Sequence, residues 1–286
     1  AGFHTENVEI SPVSAKLLWE EKEGMITEVS YRSGLKDVIF TTSGVEGNAV
    51  IAVCDAEGTI LWSWHIWCTD RPIEQKYVNS VGTFYVLDRN IGAIRADRGT
   101  EDQWIESVGM LYQWGRKDPF VMDSSFDKAA DIKSVVYYIN NPNVYAYSSE
   151  WDYNFTNKFW DSDRKTIYDP CPLGYRVQTY DAVSDLVKKG SFDKGLNVLY
   201  DNVNNAWYPA TPNYDCFGQY RYTNSYGYVW ISDNAYIISI DNSGFTAGSN
   251  PGRAKGDGYP VRCMKEKKIK NPNGSGEGYT GDEYEW

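Results

Sequence analysis

The residues best equipped for chemistry are few and scattered: Cys54, Cys68, Cys171, Cys216, Cys263 and the histidines His4 and His65. The odd cysteine count leaves at least one thiol unpaired within the chain. No C-x-x-C spacing occurs, so two histidines and five separated thiols do not assemble a tetrahedral zinc set, and no metal is expected. Ser63 and His65 share one face of a strand-like run, yet side chains two apart project in parallel and seldom present a nucleophile to a base. A strand histidine among Trp62, Trp64 and Trp67 reads instead as a packed, hydrogen-bonded group. Cys216, in Asn213-Tyr214-Asp215-Cys216-Phe217-Gly218, reads as a lone thiol. Carboxylates are plentiful, but no local motif selects the pair that glycoside hydrolysis needs. For calcium, Asn141-Pro142-Asn143 and Trp230-Ile231-Ser232-Asp233-Asn234 are imperfect fragments of an oxygen-ligand site. Asp241-Asn242-Ser243-Gly244 lacks a distal Glu and reads as a turn. No catalytic residue and no cofactor are assigned.

The cysteines have a better use as a staple. Val50–Asp55 and Thr59–Cys68 read as a hairpin through the loop Ala56-Glu57-Gly58, which sets Cys54 opposite Ile60. Cys68 then lies eight residues beyond Ile60, about 26 Å away at strand rise and far outside the roughly 7 Å Cα limit of a disulfide. The favoured bridge is therefore Cys171 with Cys263. These cysteines sit in Asp169-Pro170-Cys171-Pro172-Leu173-Gly174-Tyr175-Arg176-Val177 and Pro260-Val261-Arg262-Cys263-Met264, beside strand-like sequence with Pro and Gly punctuation.

Composition bounds the partners. A net charge of −11 lacks the Lys/Arg field that nucleic acid or an anionic membrane requires. No window of about 18 apolar residues spans a membrane. The start, from Ala1 to Glu6, has neither a basic nor an apolar leader region, so if the protein is secreted its signal is expected to have been removed already. Aromatics reach 15 %, led by 23 Tyr and 11 Trp, which favours β-structure and flat rings able to stack on a sugar or grip a protein.

Short alternating runs, Lys16–Trp19, Ile26–Val29 and Val38–Phe40, precede the hairpin and give a small all-β unit at residues 1–75. In the hairpin's second strand, Trp62, Trp64 and Ile66 are the expected core face, and Ser63, His65 and Trp67 the opposite one. A second domain covers 76–266, and a polar, Gly-rich tail runs over 267–286. One helix is signalled: Thr179 caps it, Ala182, Val183, Leu186 and Val187 share a face, Lys188 and Lys189 suit its end, and Gly190 stops it. Long loops fill 88–165, and strands resume at Tyr228–Ser232, Ala235–Ile240 and Pro260–Met264.

Five ordered segments then carry a resemblance. They are Tyr85-Val86-Leu87-Asp88-Arg89-Asn90-Ile91-Gly92-Ala93, Gly109-Met110-Leu111-Tyr112-Gln113-Trp114-Gly115-Arg116-Lys117-Asp118-Pro119-Phe120, the Cys171 segment, Gly227-Tyr228-Val229-Trp230-Ile231-Ser232, and Val261-Arg262-Cys263. Across residues 83–266 the chain resembles the Fibrobacter succinogenes major paralogous domain of Bacteroidetes surface proteins. Gly47–Val53 and Trp62–Trp67 are similar, more loosely, to segments that precede this domain in fimbria-associated proteins. The resemblance implies an α+β, C-type-lectin-like scaffold with little helix and long loops, in which Cys171 is tied to the last strand at Cys263. It also implies that Trp114, Gly115 and Arg116 serve the scaffold.

That scaffold places a variable binding loop between helix and final strands, where Trp207, Tyr208, Tyr214, Tyr220, Arg221, Tyr222 and Tyr226 fall. These residues are the candidate ligand contacts. The expected protein is a non-catalytic adhesion or binding protein, extracellular on the outer surface or fimbrium of a Gram-negative bacterium. Its partners would be glycan, host or bacterial surface proteins, or other pilus subunits. A carbohydrate-active enzyme or its accessory module is the alternative, and a ligand-free structural stalk is a third reading, favoured if Trp207, Tyr220 and Tyr222 prove buried.

Overall fold

A computed structural model of the protein describes residues 9–97, 99–100, 103–122, 126–152, 159–184, 191–193, 198–201, 206–221, 226–233, 237–241, 244–248 and 254–266. Leu186–Gly190 of the expected helix, Tyr222 and the 267–286 tail lie outside these residues. The architecture is mostly β, with 42 % strand against 7 % helix, so an α+β label overstates the helix. Several small sheets replace one large one because short alternating runs are repeatedly interrupted by turn residues. Among the described residues no helix is long and apolar enough to cross a membrane.

The N-terminal region holds β1 (Ser14–Glu20), β2 (Ile26–Arg32), β3 (Asp37–Thr42), β4 (Gly47–Cys54) and β5 (Ile60–Cys68). Strands β1, β4 and β5 form one antiparallel sheet, and β2 pairs with β3 as a two-stranded ribbon. Met25, Ile26 and Ala49 are buried between ribbon and sheet, with Leu17, Val29 and Ile66 packed on them. The β4–β5 register sets Cys54 opposite Ile60 and Cys68 opposite Gly47. Both thiols are free at opposite ends of the hairpin, as strand arithmetic requires. Gly58 takes the positive φ of +84° that the loop needs.

Strand β6 (Glu74–Val78) pairs with β7 (Thr83–Asn90), so residue 75, the expected boundary, lies inside a strand of the next sheet. There follow β8 (Leu111–Gln113), β9 (Asp127–Ala129), the short helix α1 (Val135–Asn140), β10 (Val144–Ala146), β11 (Tyr175–Val177) and α2 (Tyr180–Val183). Then come β12 (Ser191–Asp193), β13 (Val198–Asp201), β14 (Ala206–Pro209), β15 (Asn213–Tyr214), β16 (Tyr220–Arg221) and β17 (Tyr226–Trp230). The last are β18 (Ile237–Asp241), β19 (Gly244–Gly248), β20 (Gly258–Pro260) and β21 (Arg262–Lys265). Sheet orders are β11-β21-β7-β6, β16-β15-β20-β8, β17-β18-β19 and β12-β13-β14, beside a parallel β9–β10 pair. Helix α2 starts where expected, with the Thr179 side chain accepting from Ala182 N and with Ala182 and Val183 buried.

The main core gathers Trp114, Trp160, Trp230, Tyr112, Tyr259 and the disulfide. Each buried indole N–H meets a carbonyl: Trp114 donates to Ile231 O (3.0 Å), Trp230 to Tyr112 O (2.8 Å) and Trp160 to Tyr168 O (3.1 Å). Trp114, Arg116 and the Gly115 backbone thus build scaffold. Cys171 and Cys263 are bonded, next to the β11–β21 ladder in which Val177 faces Cys263. Closing a loop of 92 residues removes unfolded-state freedom equivalent to about 4.6 kcal/mol in the chain-entropy view.

Two glycines explain another pair of motifs. Gly92 (φ +87°) and Gly109 (φ +81°) let their strands meet so closely that a Cβ would lie 2.4 Å from Met110 Cγ and 2.6 Å from Ile91 O, respectively. Asn90 then bridges Val108 O and the Arg262 side chain, fixing β7 to β21.

Candidate functional site: a buried polar seam and an aromatic hairpin

Chemistry-bearing side chains collect in two places. The first is the seam between the N-terminal sheet and the rest of the chain. The face of β5 expected as core is only partly buried: Ile66 packs on the core under the ribbon but Trp64 is 38 % exposed, whereas Ser63, His65 and Trp67 point across the seam. The correction has a physical cause, because polar side chains are readily buried when partners wait for them. Trp67 Nε1 donates to Ala93 O at 3.1 Å, and Asn48 Nδ2 donates to Gly92 O at 2.8 Å and to Glu21 Oε2 at 2.6 Å.

With its amide nitrogen so used, Asn48 offers Oδ1 to His65 Nε2 at 2.9 Å, so Nε2 carries the ring proton. His65 Nδ1 accepts from the Tyr112 hydroxyl at 2.9 Å. His65 is partly buried with both nitrogens hydrogen-bonded, and burial pushes the histidine pKa down to about 3. A second proton would have to displace the Tyr112 bond. His65 is therefore held neutral with both nitrogens engaged.

Beside it, Ser63 Oγ donates to Asp118 Oδ1 at 2.6 Å, and Lys117 Nζ binds Asp118 at 2.7 and 2.9 Å and Ser63 O at 3.0 Å. The ammonium also lies 4.5 Å from the Trp62 ring. Desolvation lowers the Lys117 pKa and the Asp118 carboxylate opposes that shift. The three donors of Lys117 and the hydroxyl of Ser63 are thus directed at protein partners.

A narrow cleft opens above this pair, lined by Arg116, Tyr138, Trp151 and Tyr168 among others. The Arg116 guanidinium packs 4.8–4.9 Å from the Tyr138 and Phe120 rings and donates to Val144 O and Pro142 O. Burial lowers its pKa to about 10. The Asn141-Pro142-Asn143 segment, read above as a calcium fragment, ends α1 and supplies this carbonyl. Among the described residues no group of three or more His, Cys, Asp or Glu side chains could hold a metal ion.

The second place is the β15–β16 hairpin. Of the expected ligand contacts, Trp207, Tyr208 and Tyr214 are buried. The Trp207 carbonyl accepts from Arg262, the Tyr208 hydroxyl donates to Gln178 Oε1 at 2.9 Å beneath that guanidinium, and the Tyr214 hydroxyl donates to Val121 O. The two tyrosine rings serve the interior, where each hydroxyl finds a partner, and the Trp207 backbone carbonyl is bonded there as well. Tyr222 and the Tyr226 side chain lie outside the described residues. Tyr220 (43 %) and Arg221 are exposed.

Two further exposed rings join them, Phe217 (51 %) and Tyr147 (39 %), in mutual contact at 5.5 Å. Phe217 and Tyr220 flank one turn, and Tyr147 lies just past β10, two residues after the buried Tyr145. Beneath lies a buried aromatic cluster: Tyr220 packs on Tyr214 at 5.6 Å, and Tyr214 on Phe126 and Tyr145 at 4.9 and 6.0 Å. The turn is fixed by Asp215, whose Oδ1 accepts from Phe217 N and Gln219 N, while Gly218 takes φ +59°. Sequence reasoning missed Phe217 and Tyr147. The available signal was Asp at the first and Gly at the fourth turn position.

Comparison with protein-family models, with curated proteins and with solved structures finds no match to this chain.

Proposed function

We propose that the chain is a non-catalytic, surface-displayed binding or adhesion protein whose ligand surface is the β15–β16 hairpin with Tyr147. One observation carries this reading: three aromatic rings stand exposed, Tyr220 packed on Tyr214 and Phe217 against Tyr147, while the acid–base groups of the seam are engaged within the protein. Exposed aromatics backed by a packed interior offer contact area at little ordering cost. The motif resemblance to the Fibrobacter succinogenes major paralogous domain, with its C-type-lectin-like scaffold, supports a bacterial surface or fimbrial setting. The disulfide fits an oxidising compartment. The decisive experiment probes a glycan and surface-protein array with the intact chain and with Phe217→Ala and Tyr220→Ala. Retention of a ligand that both variants lose supports the reading, and turnover of a polysaccharide would replace it with the enzyme alternative. A ligand-free stalk is the second reading: of the three rings whose burial would favour it, Trp207 is buried, Tyr220 is exposed and Tyr222 lies outside the described residues. It predicts no retained ligand.

A further inference from the structure

The hairpin carries one cation, Arg221, and one anion, Asp215, and Lys128 of β9 reaches its turn. Arg221 is exposed and is the guanidinium nearest the rings in sequence, so it is the natural candidate for gripping an acidic ligand. It is instead turned onto its own turn: Nε and Nη2 both reach Asp215 Oδ2, at 3.1 and 2.8 Å, and Nη2 also donates to Gln219 Oε1 at 2.8 Å. Lys128 Nζ donates to Gly218 O at 2.9 Å, and its methylenes lie across that glycine. Asp215 is spent likewise, with Oδ1 on two backbone N–H groups and Oδ2 on Arg221. An exposed ion pair contributes little stability, but here three acceptor contacts fix the guanidinium's direction. Arg221 is thereby offset by Asp215 and the Lys128 ammonium is directed at a turn carbonyl, on a chain of net charge −11 that repels acidic ligands at longer range.

Resting on the binding-surface reading above, we infer that this hairpin selects uncharged sugars, stacked on Tyr147, Phe217 and Tyr220, and that Asp215 is the specificity-determining residue because it withholds Arg221. Flat exposed rings bordered by phenol and amide groups suit the apolar face and hydroxyl rim of a pyranose. A peptide docking by strand addition has little to pair with, since β16 is an edge strand of only two residues.

The test uses the full chain with paired probes: lactose against sialyllactose, cellotetraose against tetragalacturonate, and a peptide library. The neutral member of a pair is expected to bind at least about tenfold more tightly than its acidic counterpart, and Phe217→Ala to lose about tenfold, as an anchor residue should. Neutral-sugar affinity should change by less than about twofold between low and physiological salt, since no exposed charge is engaged. Asp215→Asn keeps the Oδ1 acceptor that holds the turn and frees the guanidinium. It should gain acidic-sugar binding, and Asp215→Asn/Arg221→Gln should lose that gain. If Asp215→Asn does not fold, the salt dependence of the unmodified chain still decides. Preference for the acidic sugars, or peptide capture through Phe217 without sugar binding, overturns the neutral-sugar inference and leaves the binding surface standing. No retained ligand of either kind, or binding indifferent to Phe217 and Tyr220, overturns both.

Discussion

Two hairpins in this protein are built on one turn and do opposite things. In β4–β5, Asp55 Oδ1 accepts from Glu57 N and Thr59 N, and Gly58 N returns to Asp55 O at 3.2 Å. In β15–β16, Asp215 Oδ1 accepts from Phe217 N and Gln219 N, and Gly218 N returns to Asp215 O at 2.8 Å. Both glycines have positive φ, as a three-residue loop ending in a left-handed residue requires. The turn chemistry therefore says nothing about function. What differs is the strands: the first pair runs eight and nine residues and drives Ser63, His65 and Trp67 into the seam, whereas the second pairs only two residues and leaves its ring-bearing tip in solvent. Polar chemistry on the long hairpin holds regions together, and apolar area on the short one is left for a partner.

The strongest way to break this contrast is at the seam. Asp118→Ala removes the carboxylate that Lys117 and Ser63 share and leaves a buried ammonium facing carbonyl and hydroxyl oxygens alone. A loss of roughly 3–5 kcal/mol in unfolding free energy is expected, as for other broken buried pairs. Urea unfolding measures it, and a change under about 1 kcal/mol would mean that the seam tolerates an unpaired charge. Lys117→Met with Asp118→Leu should recover part of the loss, because an apolar pair carries no desolvation penalty.

A smaller effect follows from His65. Its folded pKa, about 3, lies below the 6.5 of an ordinary histidine. On acidification the unfolded chain takes the proton first, so this contribution to stability is whole above about pH 6.5 and is lost as pH falls toward the folded value. Because His65 is only partly buried, the expected loss between neutral pH and about pH 4 is about 1–3 kcal/mol, less than the full pKa difference implies. Stability curves of the intact chain and of His65→Gln should converge as pH falls. Parallel curves would show that His65 keeps its ordinary pKa in the fold.

These two residues also mark where the sequence could be read and where it could not. The β4–β5 register, the Cys171–Cys263 bond and the Thr179 cap were legible because each rests on local spacing or punctuation: alternation around Gly58, cysteines beside strands, Thr before Ala182. The seam-facing side of β5 was missed because alternation assigns only the apolar residues inward, while the partners of Ser63 and His65 lie 55 and 47 residues away in Asp118 and Tyr112. Helix α1 was missed for a related reason. Its sequence, Val-Val-Tyr-Tyr-Ile-Asn, is β-branched and aromatic, and only Ser134, accepting from Tyr137 N, announces it. Among the ligand residues, counting rings found the neighbourhood but not the members, since a Tyr hydroxyl or Trp carbonyl with an interior partner gives no sign in sequence.

The smallest expected effect is the most telling for the hairpin comparison. Phe217 is half exposed, its backbone N–H is held by Asp215, and its ring touches Tyr147, itself exposed. Truncation to Ala should leave the Asp215 turn and the buried Phe126–Tyr145–Tyr214 cluster intact, so unfolding free energy should move by no more than about 0.5 kcal/mol. Thermal unfolding of Phe217→Ala against the intact chain reads this directly. A loss above about 2 kcal/mol would place Phe217 among core-forming rings, and the short hairpin would then be another structural device like β4–β5. A change within the expected bound leaves the exposed ring contributing nothing detectable to folding, which is the property a surface reserved for a partner must have.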